Sequence, residues 1–238
     1  MKNLIIIPTY NERKNIAPLI REIFAITPDM YVMVVDDNSP DKTYELVQEL
    51  MISWTRLSLL LREKKEGLRK AYVHAFEKAL NDVEVGNIIM MDADFSHDPK
   101  YIPKFLEALN NFDAVVGSRY APAGGTEGWA LWRRLLSRYG NKYARSVIGL
   151  PVHDCTGGFN AMRTSILRNI NLDDLDMSGY AFLIELKYLL WKSGARLTEI
   201  PIIFKNRREE KSKMSSHIIR EGLLAPWYIR KKNYNFHD

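Results

Sequence analysis

Residues 87–98 read Asn87-Ile88-Ile89-Met90-Met91-Asp92-Ala93-Asp94-Phe95-Ser96-His97-Asp98. The unalternated apolar run predicts a strand buried on both faces, the mark of a parallel sheet held between helices. Two carboxylates spaced i and i+2 follow at its end. Such a pair is a clamp for a hard divalent cation, and a cation held by carboxylate oxygens also binds a diphosphate. The alternative for Asp92 and Asp94 is a polar strand end that caps a turn, so their neighbours must decide. Working outward, the run 4–8 leads into Thr9-Tyr10-Asn11-Glu12, the run 31–35 into Asp36-Asp37-Asn38-Ser39-Pro40, and 57–61 reads as a further strand. Between these, Ile16, Leu19, Ile20, Ile23 and Phe24 fall at helical spacing. Asp41 stands where it can cap a helix through Glu49, and Tyr72, Ala75, Phe76 and Ala79 share one face of a helix over 67–80. This β-α-β-α order predicts an α/β sheet, mostly parallel, with helices on both faces. Ligands of such sheets bind beyond the carboxyl ends of the strands, where the polar tips gather. The GxGxxG and GxxxxGK[ST] signatures are absent, so phosphate is expected to meet metal and basic side chains instead of a glycine-rich cradle.

The second half is less regular. Residues 113–116 read as a strand ending in Gly117-Ser118-Arg119-Tyr120, and 122–128 as a glycine-rich loop. A helix is expected over 129–148 with Trp132, Leu135, Leu136 and Tyr139 as its apolar stripe. Residues 154–163 carry the turn Thr156-Gly157-Gly158-Phe159, 180–191 a helix and 197–204 a last strand. From Lys205 onward nine Lys or Arg stand against four Asp or Glu, a net +5, with Ile218, Ile219, Leu223, Leu224, Trp227 and Ile229 at roughly helical spacing. The chain is therefore divided into a domain over 1–213 and a basic amphipathic extension over 214–238. That extension is expected either to lie on a membrane surface or to pack as an ordinary helix.

At 238 residues, 46% hydrophobic and 26% charged, the chain has globular composition and room for one large domain. The single Cys155 excludes an internal disulfide framework and fits a reducing compartment. No apolar run reaches the length of a membrane span, and residues 1–7 lack a signal-peptide pattern. A net charge of +5 and a pI near 9.1 suit phosphate ligands, anionic lipid or nucleic acid alike. No nucleic-acid recognition motif is present and the acidic tips would repel phosphate in the absence of a metal, so nucleic acid is not expected as a partner.

Taken together, Pro8-Thr9-Tyr10-Asn11-Glu12, Val35-Asp36-Asp37-Asn38-Ser39-Pro40-Asp41, Met91-Asp92-Ala93-Asp94-Phe95-Ser96-His97, Gly117-Ser118-Arg119-Tyr120, Gly124-Gly125, Arg133 with Ser137, Asp154-Cys155-Thr156-Gly157-Gly158-Phe159, and Arg207 with Ser212-Lys213 resemble a family-2 glycosyltransferase of the GT-A nucleotide-diphospho-sugar transferase fold. More narrowly, they resemble the dolichyl-phosphate (polyprenyl-phosphate) mannose synthases of the short, catalytic-domain-only type. The first three blocks mark the wider superfamily, and the later ones mark the lipid-phosphate subgroup. Two positions depart from the pattern. Glu210 stands where the family usually has a Gly three residues after the Arg, and Ser96 stands where some members have Gln.

The resemblance implies an inverting enzyme that moves mannose from GDP-mannose to the phosphate of dolichyl or polyprenyl phosphate. It would sit on the cytoplasmic face of a membrane, alone or with a small membrane subunit. Mg²⁺ or Mn²⁺ would be held by Asp92 and Asp94, with Ser96 as a weaker ligand. The nucleotide would meet Pro8, Tyr10, Glu12, Val35, Asp37, Ala93 and Arg119, and Arg207 and Lys213 would reach the donor diphosphate. Arg119, Arg133 and Ser137 would bind the acceptor phosphate; Arg133 and Ser137, at i and i+4, share a helix face. Asp154 would be a general base if the acceptor were a hydroxyl, and a positioning group if it is an already ionised phosphate. Against these stand a core role for Tyr10, a helix cap at Asp37, and a solvated basic face for the arginines. His97 and His153 read as structural. The rival functions are the same transfer from UDP-glucose or another donor, transfer to a sugar or protein hydroxyl, and a non-catalytic nucleotide-sugar-binding subunit.

Overall fold

The computed structural model describes residues 1–206 and 216–236 and, within the last helix, side chains from residue 222 onward. Arg207, Glu210, Ser212 and Lys213 lie outside the described residues. The elements are β1 (Lys2–Thr9), α1 (Arg13–Ile26), β2 (Tyr31–Asp36), α2 (Thr43–Ser53), β3 (Leu57–Leu61), α3 (Leu68–Asn81), β4 (Val85–Met90), α4 (Ile102–Ala108), β5 (Ala114–Ser118), β6 (Gly125–Thr126), α5 (Leu131–Ile148), β7 (Asn160–Arg163), α6 (Thr164–Leu167), α7 (Gly179–Lys192), β8 (Leu197–Pro201), β9 (Ile203–Phe204) and α8 (Ser216–Lys231).

Seven strands form one sheet in the order β3-β2-β1-β4-β7-β5-β8. Only β7 runs against the rest, pairing antiparallel with β4 and with β5. The continuous apolar runs have the reason anticipated for them: both faces of the sheet are covered. Leu4 and Ile6 of β1 point to one face, against Tyr72 and Phe76 of α3 and Phe182 of α7. Ile5 and Ile7 point to the other, against Ile16 and Ile20 of α1 and Phe105 of α4. A third cluster joins Val147 and Ile148 of α5, Ile184 of α7, and Ala225 and Ile229 of α8.

Three local features differ from the sequence reading. β7 was not anticipated; its four residues, Asn160-Ala161-Met162-Arg163, carry no β-branched side chain and become a strand by filling the gap between β4 and β5. The last strand is broken: β8 pairs with β5 as far as Pro201, and β9 then pairs with β6 in a separate two-stranded sheet. The apolar stripe of α5 faces outward. Trp132 and Tyr139 are 60% and 64% exposed and Leu135 and Leu136 are also exposed, whereas Asn141, Ala144, Val147 and Ile148 in the second half of the helix are buried.

α8 packs on α5 and α7. Ala225 and Ile229 are buried, Trp227 Nε1 donates to Tyr143 Oη at 2.9 Å, and Arg230 donates to the Val147 carbonyl at 2.8 Å. Beyond the helix, the buried Glu185 receives Tyr234 Oη at 3.1 Å and faces Lys232 at 3.4 Å. Leu223, Leu224 and Tyr228 remain exposed, and the Leu223 carbonyl accepts Tyr143 Oη of α5 at 2.8 Å. If the Ile229 side chain is what seats this helix, Ile229→Ala will cost about 2–4 kcal/mol of stability, read from urea unfolding.

Candidate active site

All strands of the sheet except β7 point their carboxyl ends to one rim, and β7 begins there. Segments 8–12, 36–39, 62–66, 91–97, 118–120, 154–158 and 202–206 therefore share that rim. The first tip is tied to the second through Asp36, which is fully buried. It accepts hydrogen bonds from Thr9 Oγ1 at 2.7 Å, Ser39 N at 2.8 Å and Ser39 Oγ at 2.7 Å. Asp41 accepts the Thr43 amide at the start of α2, at 3.0 Å, and also the Arg13 amide. Pro8, Tyr10 and Glu12 are half-buried on this tip, while Val35 is in the core beneath it. Lys65 Nζ lies 3.7 Å from the centre of the Tyr10 ring.

Asp37 is buried against Arg62, whose Nη1 donates to it at 2.6 Å, and it also accepts from the Glu66 amide at 3.3 Å. Burial raises its pKa and the Arg62 guanidinium opposes that rise. Arg62 is itself buried and bridges on to Glu66 at 2.8 Å. Arg62 and Lys65 were not singled out from the sequence. The signal was available, because Arg62 directly follows β3 just as the other polar tips follow their strands.

The Asp92–Asp94 tip is pinned by His97. The Asp92 amide donates to His97 Nδ1 at 2.9 Å, which leaves the imidazole proton on Nε2, 3.8 Å from Asp92 Oδ2. The imidazole is buried, stacked on Phe159 at 4.9 Å and edge-on to Phe204 at 5.6 Å. Asp94 Oδ1 accepts the Ser96 amide at 3.0 Å. Phe95 between them adopts φ 62°, a left-handed conformation that is costly for a bulky side chain and recurs at functional tips. A Cβ on Gly158 would sit 3.7 Å from Asp92 Oδ1, an ordinary van der Waals distance, so that loop lies directly against the carboxylate.

The fit of a divalent cation can be judged from these groups. The donors are hard oxygens, the Asp92 carboxylate is partly exposed, and Ser96 Oγ is buried with no hydrogen-bond partner among the described residues, a costly state for a hydroxyl. No group of three or more His, Cys, Asp or Glu gathers among the described residues. A cation here would therefore take its remaining oxygens from a diphosphate, the ordinary arrangement for Mg²⁺. The residues present fit such an ion.

Across the rim, Arg119 and Asp154 form a buried bidentate pair. Nε donates to Oδ2 and Nη2 to Oδ1, both at 2.7 Å, and the Arg119 amide donates to Oδ2 at 3.0 Å. Burial disfavours ionisation of Asp154, but the Arg119 guanidinium outweighs it and holds the carboxyl below the usual range. Thr156 Oγ1 accepts from Arg119 at 2.8 Å, and Asn141 of α5 accepts the Cys155 and Thr156 amides at 2.7 and 3.1 Å. From α7, Lys187 donates to the carbonyls of Cys155 at 3.1 Å and Gly157 at 2.7 Å. Burial pushes the Cys155 thiol up to about 12, so this cysteine is not a nucleophile at neutral pH.

On α5, Arg133 and Ser137 are half-buried while Arg134 and Arg138 are exposed, which separates the paired face from the solvated one. Ser137 Oγ accepts from Tyr120 Oη at 2.6 Å. Arg133 stacks on Trp129, its guanidinium carbon 3.9 Å from the ring centre. His153 is exposed and paired with Glu199 at 2.6 Å, whose other oxygen accepts the Asp154 amide.

The model of glycosyl transferase family 2 matches residues 4–170. The chain belongs to that family. This glycosyltransferase is 38% identical over 234 residues to the polyprenol monophosphomannose synthase of Mycolicibacterium smegmatis, with 96% of this chain and 88% of the relative covered. It is 36% identical over 238 residues to the undecaprenyl-phosphate mannosyltransferase of Micrococcus luteus, covering 95% and 96%. It is 35% identical over 238 residues to the dolichol-phosphate mannosyltransferase of Pyrococcus furiosus, covering 97% of this chain and 64% of that relative. Among solved structures, glucosyl-3-phosphoglycerate synthase of Mycobacterium tuberculosis, in complex with Mn²⁺, UDP-glucose and glycerol 3-phosphate, superposes with a TM-score of 0.65 at 16% identity, over 96% of this chain and 79% of that one. That likeness bears out the expected GT-A fold.

Lys187 offers a pH test of the site's interior. Burial lowers its pKa to about 8, against 10.5 for an ordinary lysine. Between these values the unfolded chain holds a proton that the folded chain does not, so this group's contribution to stability rises with pH across that window and is flat below it. Raising the pH from about 7.5 to about 9.5 is expected to stabilise wild type relative to Lys187→Met. Denaturant unfolding at both pH values checks this, and an unchanged difference would mean that the ammonium is not depressed.

Proposed function

We propose that this glycosyltransferase moves mannose from GDP-mannose to the phosphate of a polyprenyl or dolichyl phosphate, with inversion at the anomeric carbon. The reading is supported chiefly by one observation: the Asp92–Asp94 tip and the Arg119, Arg133 and Ser137 group face one rim, and three relatives of 35–38% identity bear polyprenyl-phosphate mannosyltransferase names.

A phosphate oxygen of the acceptor attacks the anomeric carbon as the bond from that carbon to the GDP β-phosphate oxygen breaks. The new bond forms on the opposite face, and the electron pair leaves with GDP. The nucleophile is already ionised near neutral pH, so no side chain has to remove a proton. This agrees with the state of Asp154, whose carboxylate is committed to Arg119 and acts by positioning that guanidinium. A hydroxyl acceptor would need a free base, and the pairing of Asp154 weighs against that rival. Arg133 suits the acceptor phosphate because a guanidinium donates to two oxygens at once, while Arg119, with Nε and Nη2 taken by Asp154 and Thr156, would reach it through Nη1. Asp92, Asp94 and Ser96 would hold Mg²⁺ or Mn²⁺, which neutralises charge developing on the leaving diphosphate. Tyr10, Asp37 with Arg62, and Lys65 would line the nucleotide end, and Arg207 and Lys213 would reach the diphosphate.

The acceptor is a lipid, and the outward apolar stripe of α5 together with exposed Leu223, Leu224 and Trp227 of α8 suits peripheral contact with the cytoplasmic face of a membrane. Arg134, Arg138 and Lys142 are exposed on α5 and Lys231 on α8, and basic side chains on such helices favour anionic lipid. No helix among the described residues is long and apolar enough to cross a membrane, and a small membrane subunit is a further candidate partner.

In a transfer assay with Mn²⁺ and a short polyprenyl phosphate, radiolabel is expected to enter the organic phase from GDP-mannose, not from UDP-glucose, and to be lost with EDTA. Label from UDP-glucose alone would overturn the donor assignment, and none from either would overturn the reaction as stated for the isolated chain. Asp94→Ala is expected to lower kcat by at least about a hundredfold, and normal turnover in that variant would remove the metal clamp. Arg133→Ala is expected to raise the acceptor KM more than it weakens donor binding.

A further inference from the structure

Tyr72 carries a polar group into the apolar packing of α3, and neither the resemblance nor the proposed reaction gives it a role. The residue is 1% exposed and belongs to the cluster that holds Met90 of β4 with Phe182 and Leu183 of α7. Its ring stacks on Phe76 at 5.7 Å and on Phe182 at 6.0 Å. The hydroxyl is buried and makes no hydrogen bond among the described residues. Packing does not ask for that hydroxyl, since a phenylalanine would offer the same ring, as Phe76 and Phe182 do. A buried O–H with no acceptor is costly and rare in a folded chain.

The surroundings of the hydroxyl supply a reason for it. It faces the Met91 amide. That amide is engaged with the Ile6 carbonyl at 3.1 Å, and as a donor it gives the phenol proton nowhere to go. The charge that acts on the phenol is the Asp92 carboxylate: burial first, and then that anion, push the Tyr72 pKa well above its usual range. The loop at Gly158 places the same carboxylate against this packing. A Cβ there would sit 3.7 Å from Asp92 Oδ1 and 3.7 Å from Leu183 Cδ1, and Leu183 follows Phe182 in the chain. An O–H donor is thus buried beneath one arm of the proposed cation clamp.

We propose that Tyr72 is a positioning residue for the cation: its hydroxyl donates to the Asp92 carboxylate from the interior when Asp92 and Asp94 hold Mg²⁺ or Mn²⁺. The inference rests on the cation assignment made above. Carboxylates that ligate a metal are themselves hydrogen-bonded, and these outer partners fix the orientation of the ligand. Loss of one typically weakens metal binding by about ten- to a hundredfold. In the empty protein the same hydroxyl contributes nothing to the fold, and this separates the proposed role from a structural one.

Tyr72→Phe removes one oxygen atom and leaves the ring in place. Calorimetry on the full chain measures affinity for GDP, and in separate runs for UDP, with Mn²⁺ and with EDTA. For the nucleotide that wild type binds, Tyr72→Phe is expected to bind about tenfold more weakly in Mn²⁺ and within about twofold of wild type in EDTA. The metal-free variant is expected to melt no lower than wild type, because the lost hydroxyl had no partner there. Affinity in Mn²⁺ equal to that of wild type would overturn the inference. So would an equal loss in Mn²⁺ and in EDTA, or a weaker affinity joined to a lower melting temperature, since either marks a hydroxyl that supports the fold. Wild-type protein whose affinity for both nucleotides is indifferent to Mn²⁺ would overturn the cation assignment and this inference with it, and that failure is visible before any variant is made.

Discussion

The buried pair between Arg119 and Asp154 is the contact on which the second half of the rim depends. Two charges withdrawn from water are tolerated only when they are well paired, and here the carboxylate is fully satisfied. The carboxylate accepts two guanidinium N–H groups and the amides of Arg119 and Gly157. The guanidinium reaches on to Thr156. Removing either partner would strand a charge in the interior, at a cost of about 3–5 kcal/mol. The pair fastens the end of β5 to the loop 154–158. Through Asn141 and Lys187 the same loop is fastened to α5 and α7. Arg133 and Ser137 ride on α5, so their distance from the Asp92 tip is fixed by a polar core and not by hydrophobic packing alone.

The first half of the rim follows a different logic. Its tips are held by short-range oxygen contacts, with Asp36 gathering Thr9 and Ser39 and His97 gathering the Asp92 amide. These are the interactions of a sheet end that must present carboxylates without collapsing onto them. Phe95 in a left-handed conformation lies on the same tip, between Asp94 and the Ser96 hydroxyl, which has no partner among the described residues.

Much of this was legible in the chain because its causes are local. Residues 4–8, 31–35 and 87–91 had to be doubly covered strands, since nothing else accounts for apolar runs that do not alternate. A sheet of parallel strands then places their polar tips together. What escaped had non-local causes. β7 is four residues whose strand character comes from the two strands on either side. The direction of the α5 stripe could not be read, because periodicity reveals an amphipathic helix without revealing which side meets protein. Asp154 stood open between general base and positioning group, because the partner that bears on that choice, Arg119, is brought beside it only by folding. Arg62 was the one omission with a local signal, as it occupies the position after β3 that the other tips occupy after their own strands.

The antiparallel strand β7 has a consequence for how the molecule is assembled. β1 to β4 pair among themselves, and residues 1–90 can close that subset of the sheet without the rest. β7 enters between β4 and β5 only after residues 91–159 have been placed, and β8 must then arrive on the far side of β5. The β4–β7 pairs span 70–76 residues and the β1–β4 pairs 83–84, so loop entropy alone does not order the two; the order of synthesis does, because β7 is made after β1 to β4. A chain emerging from the ribosome carries its acidic tip well before it carries Arg119, Arg133 and Asp154.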